Sequence, residues 1–331
     1  MTKFKSTFTA PLFVLVVYIL ALASTALKDK LISSENNIYL SVIILQILIF
    51  IMPAIIYCRM KGVGYSMKLN IKLFSPAKLG SIIMSALVLI CGSVLIRCVQ
   101  IYVGGLNSFG FTMFDQYRNV TQGGEFLFTA MTFAVMPAIT EEFVFRSIIL
   151  TEYNEEGLGA IPASLISALL SSMIFFSLEK LPIFFFSGLV YCMITYATGS
   201  SLTAFLTHMI FNFYGVFAEK FVIKAILNPS NRIISIFTFT LLFLILSVIM
   251  FGEFEHMLRK MGKSGVPTPS YRLKKTDDGK TPDIAATEAE EEGEKGGAVI
   301  SKKFSLNIEA LFSPTFLLCI LFFAVAILGF S

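Results

Sequence analysis

The chain has 331 residues, of which 56% are hydrophobic and only 15% are charged. Globular proteins average about 25% charged residues, so a soluble fold of this composition would have too little charge to cover its surface. The composition disfavours a soluble enzyme, a disulfide scaffold and a disordered chain, and it indicates a polytopic membrane protein in a lipid bilayer. The formal net charge of +4 is modest, and we expect no nucleic-acid partner.

Nine apolar stretches are candidate membrane spans, because a helix needs roughly 20 apolar residues to cross the hydrocarbon core. A spanning backbone must satisfy its own hydrogen bonds, and the alternating pattern of barrel strands is absent. We therefore predict an all-α, polytopic membrane helix bundle with eight or nine transmembrane helices. The predicted spans are 11–27, 39–58, 79–101, 126–149, 160–178, 181–198, 201–218, 232–251 and 310–330.

Lysine and arginine in short loops indicate which side of the membrane a loop occupies. The loop after the second span carries basic residues and no acidic one: Arg59, Lys61, Lys68, Lys72 and Lys78. The N-terminus and the segment after the eighth span are also basic, and all three regions share one side if the spans alternate. We expect a multi-pass protein of the cell membrane with a cytoplasmic N-terminus. The first span loosely resembles a signal peptide, and we favour an uncleaved helix.

Composition divides the chain into four parts. Residues 1–120 supply the N-terminal transmembrane helices, and residues 121–251 form the predicted functional core. Residues 252–309 are basic at first and then acidic and rich in glycine. Such sequence cannot bury enough apolar surface to become ordered, so we predict a disordered cytoplasmic linker. Residues 310–331 form the last transmembrane helix.

Ionisable side chains inside apolar spans are costly and usually functional. Glu142 and Arg146 are four residues apart, which places an acid and a base on one helix face as an ion pair. Glu141 is turned about 100° from Glu142, so its carboxylate lacks that partner and needs a cation, a metal ion or water. The alternative is a helix end from which these groups reach the interface, but the apolar run continues beyond Arg146.

Three more polar positions occur in or near the apolar spans. His208 and Asn212 share a helix face within 201–218, either as packing residues hydrogen-bonded to a neighbouring helix or as a site for water or a ligand. Glu179, considered alone, lies in sequence typical of a tight turn between two spans. Arg97, near the end of the third span, is expected to extend its charge to the interface.

These residues resemble the motifs of a membrane-embedded protease family that includes the type II CAAX prenyl endopeptidases and bacteriocin-processing or self-immunity proteins. Members of the family carry Glu-Glu-x-x-x-Arg, then Phe-x-x-x-His, then His-x-x-x-Asn, on separate membrane helices. The sequence shows the first motif at Glu141, Glu142 and Arg146 and the third motif at His208 and Asn212.

The resemblance covers roughly residues 120–220, and it implies an intramembrane endopeptidase of the metallo- or glutamate type. Its substrate would be a peptide or a membrane protein, with CAAX processing as the family's eukaryotic activity. Glu141 would be the general base that activates water. His208 and Asn212 would position this water or a metal ion, for which zinc is the candidate. Glu142 and its arginine partner would form the ion pair that holds the site together.

The second motif departs from the family, because Glu179 stands four residues after Phe175, where the family has histidine. In one outcome Glu179 and His208 still hold a metal ion, since carboxylate and imidazole bind zinc at similar distances. In another, Glu179 and Glu141 divide acid and base duties without metal. In the third, turnover is lost. We expect a hydrolase, and the alternative is a catalytically impaired peptide-binding or bacteriocin self-immunity protein.

A third hypothesis is a small proton-coupled carrier, because buried Glu, His and Asn side chains also suit ion relays. The polar motifs are not repeated along the chain, whereas many carrier folds contain two-fold repeats. The sequence also shows no nucleotide-binding loop and no serine nucleophile elbow.

Overall fold

The computed structural model describes residues 5–31, 38–62, 69–104, 126–228, 230–263 and 306–330. Within these ranges the chain is helical and contains no strand, as the composition predicts. A short helical stretch at 306–311 precedes the last helix. The helices are α1 (Ser6–Leu31), α2 (Ile38–Lys61), α3 (Leu79–Gly104), α4 (126–156), α5 (Ala160–Met173), α6 (Leu181–Thr198), α7 (201–227), α8 (Arg232–Lys263) and α9 (Pro314–Phe330).

Six helices in the described part of the chain are long and apolar enough to cross a membrane, namely α1, α2, α3, α6, α8 and α9. The remaining three are α4, α5 and α7. Helix α5 has 14 residues, which at ~1.5 Å per residue is about 21 Å, shorter than the roughly 30 Å of a hydrocarbon core. Helices α4 and α7 carry every predicted site residue except Glu179. Both of these site-bearing helices contain π-helical turns.

Helix α4 alternates between α-helical and wider π-helical turns. Pro137 lacks the N–H that would bond to the carbonyl of Phe133, and its ring would clash with that carbonyl in a regular helix. A π-helical turn directly before the proline relieves this clash. The same order occurs in α2, where a π-helical turn over Ile47–Ile51 precedes Pro53. The pieces of α4 are Phe126–Ala130, Met131–Val135 (π), Met136–Glu142, Phe143–Ile149 (π) and Leu150–Glu156.

Helices α5 and α6 pack closely at Gly188 of α6. A Cβ atom at this position would lie 2.9 Å from the Cα atom of Ala168 on α5 and 3.0 Å from Nη2 of Arg146 on α4. Small residues at such contacts allow membrane helices to approach each other closely. Around this centre, α3 packs against α6, α7 and α8, and α9 packs against α1 and α5.

Polar contacts join several helix ends on one face of the bundle. Lys61 Nζ, at the end of α2, donates to Glu152 Oε2 near the end of α4 at 2.6 Å and to Thr9 Oγ1 near the start of α1 at 3.2 Å. Lys78 Nζ, just before α3, donates to the Thr198 carbonyl at the end of α6 at 2.6 Å. The ends of α2, α4 and α6 therefore share a face with the starts of α1 and α3, as alternating spans require.

The fifth predicted span, 160–178, is shorter than expected, because the helix ends at Met173. Phe176 then adopts a φ angle of 44°, in the left-handed region that bulky residues rarely occupy. Packing accounts for this turn: the Phe175 ring stacks on Phe184 of α6 at 3.7 Å. The aromatic contact draws the chain out of the helix and into the connection to α6.

The eighth span is longer than expected, because α8 continues to Lys263 and so enters the predicted linker 252–309. An ion pair between Arg259 Nη2 and Glu255 Oε1 at 2.5 Å, one helical turn apart, supports this extension. Residues 264–305 lie outside the described residues, and disorder there stays a prediction.

Arg97 does not extend to the interface as the sequence predicts. Its side chain is buried on α3, and its Nε lies 3.8 Å from Oε1 of Glu219, which is buried on α7. A buried charge requires a countercharge, and α7 supplies one just beyond the predicted span 201–218. This partner lies far away in sequence, so local sequence could not reveal it.

The close contact at Gly188 leads to a stability prediction. Replacement of Gly188 by Val places a branched side chain against Ala168 and Arg146, and overpacking of this kind costs about 1–3 kcal/mol. We expect a lower midpoint of thermal unfolding in detergent. The control is Gly80→Ala on α3, where nothing lies within 4 Å of an added Cβ atom. A Gly188→Val protein that unfolds at the parent's temperature would show that α5 and α6 are not in close contact at this position.

Candidate functional site

Glu142 is the centre of a buried polar group. It lies at the end of the middle α-helical piece of α4 and is 0% exposed. Its Oε1 accepts a hydrogen bond from His208 Nδ1 on α7 at 2.9 Å, and its Oε2 lies 3.1 Å from Arg146 Nε. The Arg146 N–H is not aligned with this oxygen, so the second contact is an ion pair without a hydrogen bond. A single carboxylate thus joins α4 to α7.

Arg146 extends the group to two further helices. Its Nη2 donates to Ser171 Oγ on α5 at 3.3 Å, and its guanidinium carbon lies 5.2 Å from the centre of the Tyr191 ring on α6. Moving a charge out of water costs several kcal/mol, and only close partners offset that cost. Three helices, α4, α5 and α6, supply those partners here, which explains how the arginine is tolerated inside the bundle.

His208 is held by two different contacts. Its Nδ1 donates to Glu142, and its ring stacks on Tyr191 at 4.8 Å between centroids with an interplanar angle of 21°. Because Nδ1 is used by Glu142, Nε2 is the nitrogen left to meet another ligand. Asn212, one turn further along α7, donates from Nδ2 to the Ala134 carbonyl of α4 at 3.4 Å. Both predicted α7 residues therefore face α4.

Glu141 has different surroundings from Glu142, although the two are adjacent in sequence. Its side chain is 9% exposed. Within the ranges that the structure describes, neither carboxylate oxygen has a hydrogen bond or an ion pair. Glu142 therefore has a hydrogen bond and an ion pair, whereas the adjacent Glu141 has neither among the described residues.

Gln46 of α2 lies beside this region and was not identified from the sequence. Its Oε1 accepts a hydrogen bond from Oγ1 of Thr140, the residue before Glu141, at 2.8 Å. The sequence does contain an indication of this contact, because Gln46 is the only polar residue in the apolar run 42–56. Amides in membrane helices usually bond to a neighbouring helix. Helix α2 thus contributes a polar group next to the two glutamates.

Glu179 lies apart from this group. It is half-buried in the turn between α5 and α6, and its main-chain carbonyl accepts a hydrogen bond from Gln100 Nε2 at 2.6 Å. Tyr191, which stacks on His208, is ten residues beyond the first residue of α6, Leu181. This separation is about 15 Å along the helix axis. Among the described residues, no hydrogen bond or ion pair joins Glu179 to His208.

The sequence predicts Glu179 and His208 as metal ligands, with zinc as the candidate ion. In the described ranges, no group of three or more His, Cys, Asp or Glu side chains is arranged to hold a metal. His208 also uses one nitrogen to bind Glu142. The metal role of Glu179 and His208, and zinc as the candidate ion, stay predictions, and we derive no step through a metal.

Comparison with known families agrees with the motif resemblance. Residues 123–214 match the family model for type II CAAX prenyl endopeptidase Rce1-like proteins. No curated protein and no solved structure matches the chain. The matched range contains all the predicted site residues, so the resemblance noted from the first and third motifs is confirmed over this region. It supports a multi-pass membrane protein and a membrane endopeptidase of the CAAX-protease family in general terms.

The buried ion pair predicts a large stability effect. Arg146→Met leaves the Glu142 carboxylate buried without its cation, and loss of one partner of a buried pair costs about 3–5 kcal/mol. The matched control is Arg259→Met, which breaks an ion pair of the same spacing whose side chains are 67% and 65% exposed. The control should change stability by about 0.5 kcal/mol or less. Denaturant unfolding in detergent measures the free energy of unfolding of both variants. Equal losses in Arg146→Met and Arg259→Met would contradict the buried ion pair.

Proposed function

We propose that the chain is an intramembrane endopeptidase in which Glu141 activates water to hydrolyse a peptide bond. The Rce1-like match over residues 123–214 supports the general activity. The observation that carries the finer proposal is the difference between the two neighbouring glutamates. Glu142 is engaged by His208 and Arg146, whereas Glu141 has no hydrogen bond or ion pair among the described residues.

In the proposed reaction, the Glu141 carboxylate removes a proton from a water molecule, and the water oxygen attacks the carbonyl carbon of the scissile bond. Negative charge develops on the carbonyl oxygen and requires a donor or a positive charge nearby. The C–N bond then breaks, and the departing amine nitrogen takes the proton from Glu141. The products are a carboxylic acid and an amine, and Glu141 returns to its ionised form.

The other polar residues assist this step. Nε2 of His208 is available to accept a hydrogen bond from the water, because Nδ1 carries the hydrogen donated to Glu142. The second N–H of the Asn212 amide, which does not bond the Ala134 carbonyl, is available to donate to the developing oxyanion. Glu142 and Arg146 hold His208 in place and take no part in the proton transfer. This division follows the rule that paired carboxylates in different environments take different roles.

The proposed substrate is a peptide or a membrane-protein segment that reaches the site from the bilayer or from its surface. Helix α4 lies among membrane-spanning helices, so a chain that enters the site must itself lie close to the membrane. We also propose a location in the cell membrane, with the face that carries Lys61 and Lys78 in the cytoplasm. The excess of basic residues in the loop between them supports this orientation.

Glu141→Gln tests the proposed base. The substitution keeps the size of the side chain and removes its basicity, and we expect cleavage to fall by about 10²–10⁴-fold, the usual contribution of a general acid–base group. Purified protein in liposomes is assayed on membrane-anchored peptides, with the products identified by mass spectrometry. Glu155→Gln, at the exposed end of the same helix, should cleave like the parent. If Glu141→Gln also cleaves like the parent, Glu141 is not the base.

A second candidate function is peptide binding without turnover, as in a self-immunity protein. The position of Glu179 favours it, because the described site contains the single imidazole of His208 where the family motifs provide two. The polar groups of α4 and α7 would then bind a peptide chain without cleaving it.

Glu179→Gln separates these possibilities. If Glu141 acts as the base alone, this variant should cleave within about threefold of the parent, because Glu179 lies in a turn away from His208. A loss as large as that of Glu141→Gln would instead show that the two carboxylates share the chemistry. An inert parent that binds peptide and gains activity on Glu179→His would support the binding function.

A further inference from the structure

Tyr191 of α6 contacts two members of the buried polar group. Its side chain is 2% exposed. The centre of its ring lies 4.8 Å from the His208 ring and 5.2 Å from the guanidinium carbon of Arg146. The sequence contains 11 tyrosines and 34 phenylalanines, so no pattern distinguishes this one. Only the fold reveals that it touches the site.

The two ring contacts have favourable geometry. Stacked aromatic rings attract when their centroids are about 4.5–7 Å apart, and a cation within about 6 Å of an aromatic centroid is attracted to the face of the ring. The hydrogen bond from His208 Nδ1 to Glu142 fixes one point of the imidazole but leaves the ring free to turn about the N–H···O direction. A flat neighbour against its face removes this remaining freedom.

We propose that Tyr191 is a positioning residue that fixes the plane of the His208 imidazole and thereby the direction of Nε2. The consequence for catalysis rests on the proposed endopeptidase function, whereas the effect on His208 itself does not. Tyr191 acts through His208. A displacement of a reacting group by ~1 Å can lower a rate by about 10²-fold, so the orientation of the imidazole matters for turnover.

The closeness of α6 to the site depends on Gly188, one turn before Tyr191 and on the same helix face. At this position an added Cβ atom would lie 3.0 Å from Arg146 Nη2. The missing side chain allows the backbone of α6 to approach α4, and Tyr191 then reaches both Arg146 and His208. Gly188 therefore permits the close approach of α6 to α4, and Tyr191 makes the contacts with Arg146 and His208.

The aromatic ring, and not the hydroxyl, is the operative part of Tyr191. The hydroxyl is buried, and its hydrogen-bonding neighbour is Ser187, one turn earlier on α6, and not a member of the buried polar group. Removal of the hydroxyl therefore leaves the ring contacts with His208 and Arg146 in place. Tyr191→Phe should therefore behave like the parent, whereas Tyr191→Leu removes the flat face and should not.

The experiment compares Tyr191→Leu and Tyr191→Phe with the control Tyr153→Leu. Tyr153, on α4, is fully buried in the apolar core. All proteins carry His256→Gln, so that His208 is the only histidine. The first readout is the ¹⁵N-edited NMR signal of the His208 Nδ1–H in detergent at one pH. The second is kcat and KM for peptide cleavage.

We expect Tyr191→Leu to broaden or shift the Nδ1–H signal and to lower kcat by about 10²-fold, with KM nearly unchanged. Tyr191→Phe should keep the Nδ1–H signal and kcat of the parent. Tyr153→Leu should lower the unfolding temperature without changing the Nδ1–H signal or kcat. The proposal is overturned if Tyr191→Leu changes the Nδ1–H signal and kcat no more than Tyr153→Leu does. It is also overturned if Tyr191→Phe changes them as much as Tyr191→Leu does. Tyr191→Met, of similar bulk, replaces the Leu variant if that does not fold.

The NMR readout separates this proposal from the proposed function. If the parent cleaves no peptide, the endopeptidase proposal fails, but a changed Nδ1–H signal in Tyr191→Leu would still support the positioning role. If the parent cleaves peptide and the signal is the same in all four proteins, the positioning role is overturned and the endopeptidase proposal stands.

Discussion

The Glu142 carboxylate is the group on which the arrangement of the site depends. One of its oxygens binds His208 of α7, and the other faces Arg146, which contacts α5 and α6 in turn. Charges persist inside a membrane bundle only when partners surround them. The ion pair itself lies within α4, and α5, α6 and α7 supply the contacts from Ser171, Tyr191 and His208 that offset the cost of burying it. Stability and the geometry of the site have the same physical origin.

Two of the helices that hold this group, α4 and α7, contain π-helical turns. Helix α4 contains two π-helical stretches, one of them next to Pro137, and α5 is too short to be an ordinary span. The regular apolar helices lie around them and supply the solvent-excluding surroundings. Within α4, the rotation of about 100° between adjacent residues separates the engaged Glu142 from the unengaged Glu141. Two identical side chains thereby acquire different chemistry.

Sequence predicted those features that depend on local periodicity. Apolar length identified the nine helices of the described ranges, and the spacing of four residues identified the pair of Glu142 and Arg146. The bond between Glu142 and His208 joins residues 66 positions apart, and only the packing of α4 on α7 creates it. The turn after α5 depends on the left-handed backbone of Phe176, which follows from aromatic packing with other helices. Tyr191 had no signal, because one more aromatic residue in an apolar span is unremarkable until its neighbours are known.

The most direct test of this account is a double-mutant cycle between Glu142 and His208. Glu142→Gln, His208→Gln and the double variant are unfolded in detergent, and their free energies of unfolding are compared with that of the parent. If the carboxylate anchors the imidazole, the double variant should lose less stability than the two single losses together, with a coupling free energy of about 1–3 kcal/mol. A coupling of about 0.3 kcal/mol or less would show that the two side chains act independently, and it would contradict the account.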